Sequence, residues 1–173
     1  MTESHMSLKP AILLATLLCM LATQAQAAAC KLEHIPVTPL KPGSYDTFHA
    51  LAKSVELRFH SDTNDPEVDA FPEPPLQVLH NATHQQCEIN SGIWVRKDVY
   101  LSQDEQVLVT HEYSGSNDFL MFYKTADCSK LHELDVSISK WQITGNIIHV
   151  KENGKKSRKY ELDVSCKPLA AKK

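Results

Sequence analysis

Val107-Leu108-Val109-Thr110-His111-Glu112-Tyr113-Ser114-Gly115-Ser116-Asn117-Asp118-Phe119-Leu120-Met121-Phe122-Tyr123 is the stretch that decides the fold class. Two runs rich in β-branched and aromatic residues flank Ser114 to Asn117, a cluster of turn formers. Such runs read as strands, and the glycine-bearing break between them reads as a hairpin turn. Working outward, Leu76 to Leu79, Ile93 to Leu101 and Leu131 to Val136 are further strand candidates. Ile147 to Val150 leads into Asn153-Gly154, a two-residue hairpin signal. Tyr160, Leu162 and Val164 alternate with polar residues, which gives that run one buried face.

An internal repeat supports this reading. Glu133-Leu134-Asp135-Val136-Ser137 recurs as Glu161-Leu162-Asp163-Val164-Ser165, an offset of 28 residues. The alignment extends upstream without a gap. Tyr113 meets Trp141, Phe119-Leu120 meets Ile147-Ile148, and Phe122 meets Val150. Two copies of a hairpin unit, 113–137 and 141–165, account for the agreement in apolar pattern.

Val99 to Ser137 also resembles one blade of a YVTN-type β-propeller. There a Ser-x-Asp turn (Ser102-Gln103-Asp104 here) leads to a strand, and a Gly-Ser-Asn turn (Gly115-Ser116-Asn117 here) leads to the next. Lys124 stands where that repeat carries an acid, and a closed propeller needs about four or more blades, for which the chain has no room. The resemblance therefore implies a blade-like antiparallel meander and no active-site residues. Over the whole chain no family is recognised.

One segment breaks the strand pattern. Phe48, Leu51, Ala52, Val55 and Phe59 recur at helical spacing, and Ser44 or Asp46 can cap them. This predicts an amphipathic helix over 45–59. Ser61 to Pro75 carries five acids and four prolines and reads as an acidic loop. The expected fold is mainly β: an antiparallel blade-like meander of about seven to nine strands with one N-terminal helix.

Residues 1–27 read as a signal peptide. Lys9 precedes the apolar run Ala11 to Ala22, and Ala25-Gln26-Ala27 fits a small-x-small cleavage site. A single domain over 28–173 follows. After cleavage no second long apolar run remains to span a membrane. The mature chain keeps Cys30, Cys87, Cys128 and Cys166, an even number that predicts two disulfides in an oxidising compartment. Four cysteines allow three pairings, and the sequence does not choose. Lipidation of Cys30 is the competing reading, and it would leave an odd cysteine. Periplasm or cell exterior is the expected location.

The formal net charge of −3 disfavours a nucleic-acid partner. Charge placement says more. Lys151, Lys155, Lys156, Arg158 and Lys159 crowd one hairpin, and the acids crowd Asp62 to Glu73. Such polarity steers a molecule onto a charged partner. The basic hairpin, with Ser114 and Asn117 of the turn, is the expected contact surface for another protein. No nucleophile elbow or carboxylate pair stands out, so no catalytic residue and no cofactor is assigned. The leading expectation is an exported binding or inhibitory module, for example one neutralising a secreted toxin or hydrolase. A divalent-metal protein using His80 and His84 is the first alternative. A structural component of an envelope assembly is the second.

Overall fold

The computed structural model describes residues 29–170 other than Ser91 and Asn153. The signal peptide expected over 1–27 lies outside the described residues. The strands in chain order are β1 (Leu32–His34), β2 (Thr38–Lys41), β3 (Ser44–Leu51), β4 (Val55–His60) and β5 (Ala70–Phe71). Then come β6 (Glu73–His80), β7 (Gln86–Ile89), β8 (Ile93–Ser102), β9 (Val107–Ser114) and β10 (Asn117–Lys124). The last are β11 (Lys130–Asp135), β12 (Ser139–Thr144), β13 (Ile147–Glu152), β14 (Arg158–Leu162) and β15 (Pro168–Ala170).

They form three antiparallel sheets. One runs β2-β3-β4-β6-β7, another β1-β8-β9-β10-β11 with β5 also on β8, and a third β12-β13-β14-β15. The middle sheet of the stack is the one built on β8, β9 and β10, because successive residues of these strands enter different cores. Leu108, Met121 and Tyr123 join Phe48, Leu57, Phe59, Phe71 and Trp94 in the first core. Val107, Val109, Leu120 and Phe122 join Ile148, Val150 and Leu162 in the second. A strand buried on both faces needs a continuous apolar run rather than an alternating one. Val107-Leu108-Val109 supplies it, and β9 is buried from Val107 through Glu112.

The helix expected over 45–59 is absent; β3 and β4 occupy its place as a hairpin. Phe48 and Ala50 are buried in β3, and Val55, Leu57 and Phe59 in β4, each at a period of two. The helical spacing arose because two alternating strands were read through their turn. Leu51, which the helix would have buried, is 60% exposed. The turn is held by Glu105, whose carboxylate accepts the amides of Lys53 (2.9 Å) and Ser54 (2.6 Å). The hairpin adds two strands to the count, and short strands such as β1, β5 and β15 take it further past the expectation. The prolines at 74 and 75 do not end the strand either. They sit at its start, where the β4–β6 register shifts between Arg58 and His60, as prolines in a sheet require.

From β8 to β11 the chain does run as a consecutive antiparallel meander. No propeller follows from it. The meander is covered on both faces by the other two sheets, not by further blades around an axis. The two disulfides are Cys30–Cys166 and Cys87–Cys128. The first ties the segment just before β1 to the β14–β15 turn. The second ties β7 of the outer sheet to the β10–β11 turn.

One acid lies inside the first core's rim. Glu112 is 5% exposed and accepts the Thr110 hydroxyl at 2.6 Å. The Tyr123 hydroxyl bears on the same carboxyl, and the Trp94 indole N–H approaches without hydrogen-bonding geometry. Gly92, at φ +120°, leaves the room: a Cβ there would stand 2.9 Å from the Glu112 carboxyl carbon. Burial pushes the Glu112 carboxyl above its ordinary value of 4.5, against the opposing hydrogen bonds. A raised folded-state pKa adds stability that is fully present below the unfolded value and lost as pH rises through the folded one.

Two outcomes are expected. Replacing Cys30 and Cys166 by Ser opens a loop of 136 residues and should cost about 2–5 kcal/mol by urea unfolding. Wild-type Tm should fall relative to Glu112→Gln as pH rises above 4.5, since the amide cannot ionise. Parallel Tm profiles for the two proteins would show that Glu112 is not held in a disfavoured charged form.

Candidate functional site

Three chain reversals meet at one end of the molecule. They are the β9–β10 tip at Gly115-Ser116, the β11–β12 turn at Val136 to Ile138, and the β13–β14 loop around Gly154. The first two are locked together. Val136 N donates to Asp118 O at 2.9 Å, and Asp118 N donates to Ser137 Oγ at 2.9 Å. The Asp135 side chain accepts Ser137 N at 2.8 Å, closing an Asx turn. Those bonds from Ser137 hold the Asp135 carboxyl below its ordinary range.

A cleft of about 700 Å³ opens between these turns. Asn117, Asp135, Ser137, Ile138, Glu152, Lys155, Arg158 and Tyr160 are among the residues that line it. Glu152 pairs with both Lys155 and Arg158, and hydrogen bonding from Lys155 holds its carboxyl below its ordinary range. The Arg158 guanidinium lies 5.7 Å from the Tyr160 ring centroid. Away from the cleft lining, His111 braces the middle sheet against β12. Its Nδ1 is 2.9 Å from Asp98, and its ring meets Trp141 edge-on at 5.2 Å.

Two stretches singled out separately in the sequence are therefore brought to one cleft: Asn117 on one side, Lys155 and Arg158 on the other. Ser114 ends β9 beside the tip. The other cations part company. Val150 and Leu162 point into the core, so Lys151 and Lys159 project from the opposite face of the third sheet. Lys151 there stands directly across from Lys140. Lys156 is exposed in the loop. Among the described residues Lys140, Lys151, Lys156 and Lys159 form no ion pair.

His80 and His84 are not assembled with Cys87 into a ligand set. His80 Nε2 lies 2.9 Å from Thr125 O, His84 sits exposed at φ +55°, and Cys87 is in a disulfide. In the acidic segment, Arg96 donates to the carbonyls of Pro66 (2.6 Å) and Val68 (3.1 Å) and fixes the loop to the fold.

Sequence reasoning missed Ile138 and Glu152. Ile138 is 83% exposed at φ +56°. A β-branched residue in the left-handed region carries strain of about 1–3 kcal/mol. The repeat held a signal for it: at the same offset of 28 residues Ile138 matches Cys166, which has φ +60°. The Asp-Val-Ser turn recurs there too, with Asp163 accepting Ser165 N at 2.8 Å.

Ser137→Ala should free the Asp118 amide, speed its hydrogen exchange and cost about 1 kcal/mol. Unchanged exchange at Asp118 would mean the two turns are held by the Val136 bond alone.

Comparison with known proteins then bears on function. The family described as immune protein Tsi1 matches residues 30–172. The immune protein Tsi1 of Pseudomonas aeruginosa is 37% identical over 125 residues, which are 71% of this chain and 72% of that protein. These matches overturn the reading that no whole-chain family is recognisable; the single-blade resemblance caught a local meander and missed the kinship of the chain around it. They agree with the expectation of a binding or inhibitory module. The chain belongs to the Tsi1 immune protein family.

Proposed function

We propose that the protein neutralises a secreted toxin in the periplasm by covering it with the end of the molecule that carries the cleft. The observation that carries this reading is the convergence of Asn117, Lys155 and Arg158 on one cleft from two distant stretches of sequence. Turns at the end of stacked sheets present side chains on a rigid base, which suits tight binding with little ordering cost. The β9–β10 tip, including Ser114 and Asn117, is the leading edge of the contact. Lys155 and Arg158 form its flank, with Glu152 setting their positions. Lys151, Lys156 and Lys159 lie outside the cleft and act at longer range, by drawing in an acidic partner.

The periplasmic location is supported by two disulfides, which persist in oxidising compartments. Removal of residues 1–27 on export is part of the same reading. The fold supports inhibition by obstruction: the cleft carries polar and charged groups already paired with one another, not groups poised for chemistry.

The test uses the secreted protein that a tagged copy of this chain captures from culture supernatant of its own host. Titration calorimetry should show a one-to-one complex, and co-expression should protect cells from that toxin. The double variant Lys155→Glu, Arg158→Glu would leave four acids and no base at the rim of the cleft: Asp135, Glu152 and the two introduced. It should weaken binding by about tenfold or more. Full affinity in this variant would remove the β13–β14 flank from the contact.

A further inference from the structure

Ile138 stands out on two independent grounds. Its backbone lies in the left-handed region, which a β-branched side chain resists, and its side chain is 83% exposed beside the cleft. The matching residue of the second repeat unit, Cys166, adopts the same conformation but is buried and bridged to Cys30. The turn thus needs a left-handed residue in both places. At 166 the cost is offset by a disulfide. At 138 the side chain reaches solvent, and among the described residues it makes no disulfide or buried contact that offsets the cost. Glycine or asparagine would satisfy the turn with less strain.

We propose that Ile138 is a specificity-determining contact of the inhibitory surface, an apolar knob that enters an apolar socket on the toxin. This rests on the reading given under Proposed function. The knob is fixed to that surface, since its turn is bonded to Asp118 at the base of the β9–β10 tip. Its neighbours Lys155 and Arg158 are paired with Glu152, and Asp135 supplies a second acid to the cleft, so charge is locally balanced and apolar contact supplies the attraction at this point. A β-branched side chain on a hydrogen-bonded turn has few rotamers to lose on binding, the property of an interface anchor.

The geometry separates binding from folding. Ile138→Gly and Ile138→Asn both relieve the backbone and uncover no core. Each should leave Tm unchanged or raise it, while Kd for the captured toxin weakens by about tenfold or more, mainly through a faster off-rate. Ile138→Leu should retain most of the affinity. Affinity unchanged in the Gly and Asn variants would overturn the proposal and leave the inhibitory surface standing. Loss of Tm together with affinity would overturn it as well, assigning Ile138 a structural role. A wild-type homodimer that Ile138→Asn dissociates would assign the knob to a second copy instead. Wild-type protein that binds no toxin would bring down the underlying reading, and this one with it.

Discussion

Burial of the middle sheet on both faces is the constraint on which the rest of this molecule depends. Leu108 faces one core while Val107 and Val109 face the other, so β9 cannot slip by one residue without exchanging both sets. That fixes the register of β8 and β10 on either side, and through them the position of the hairpin tip. The outer sheets are then located by what they cover. Phe48, Leu57 and Phe59 seat one of them, and Ile148, Val150 and Leu162 seat the other. The cleft exists because the third sheet is docked on this frame and not paired into it. A groove remains between the end of β11 and the β13–β14 loop.

Much of this was readable from the chain alone, and the failures have a physical pattern. The β9–β10 hairpin was legible because glycine and asparagine punctuate strand-forming runs. The cysteines announced two bridges but not their pairing, which depends on which sheets lie over which. The β3–β4 hairpin was misread because Phe48, Val55 and Phe59 fall at helical intervals across a turn that has no glycine or proline to mark it. Ala52-Lys53-Ser54 makes that turn with one local bond, Ala52 N to Val55 O at 3.0 Å, and with a distant Glu105 accepting the amides of Lys53 and Ser54. The turn is completed by that tertiary contact, which local spacing does not encode.

The site was legible in the same uneven way. Charge density pointed to the 151–159 hairpin, and turn composition pointed to Ser114 and Asn117. Alternation then decides which cations serve the cleft. Arg158 shares the inward face of β14 with Tyr160 and Leu162, while Lys159 does not. Ile138 was hidden because exposure and backbone conformation are invisible in a residue name. Only the offset alignment with Cys166 carried a trace of it.

The Cys30–Cys166 bridge has a further consequence. Cys30 N also donates to Asp163 O at 3.2 Å, so the two boundaries of the fold are fastened at one spot. In covalent terms residues 30 to 166 form a ring. A protease that cuts one exposed loop opens the ring but releases no fragment, and the stacked sheets retain the pieces in place. The protein can be nicked and still present the same end to its partner. The integrity of the fold is then governed by the second cut and not the first.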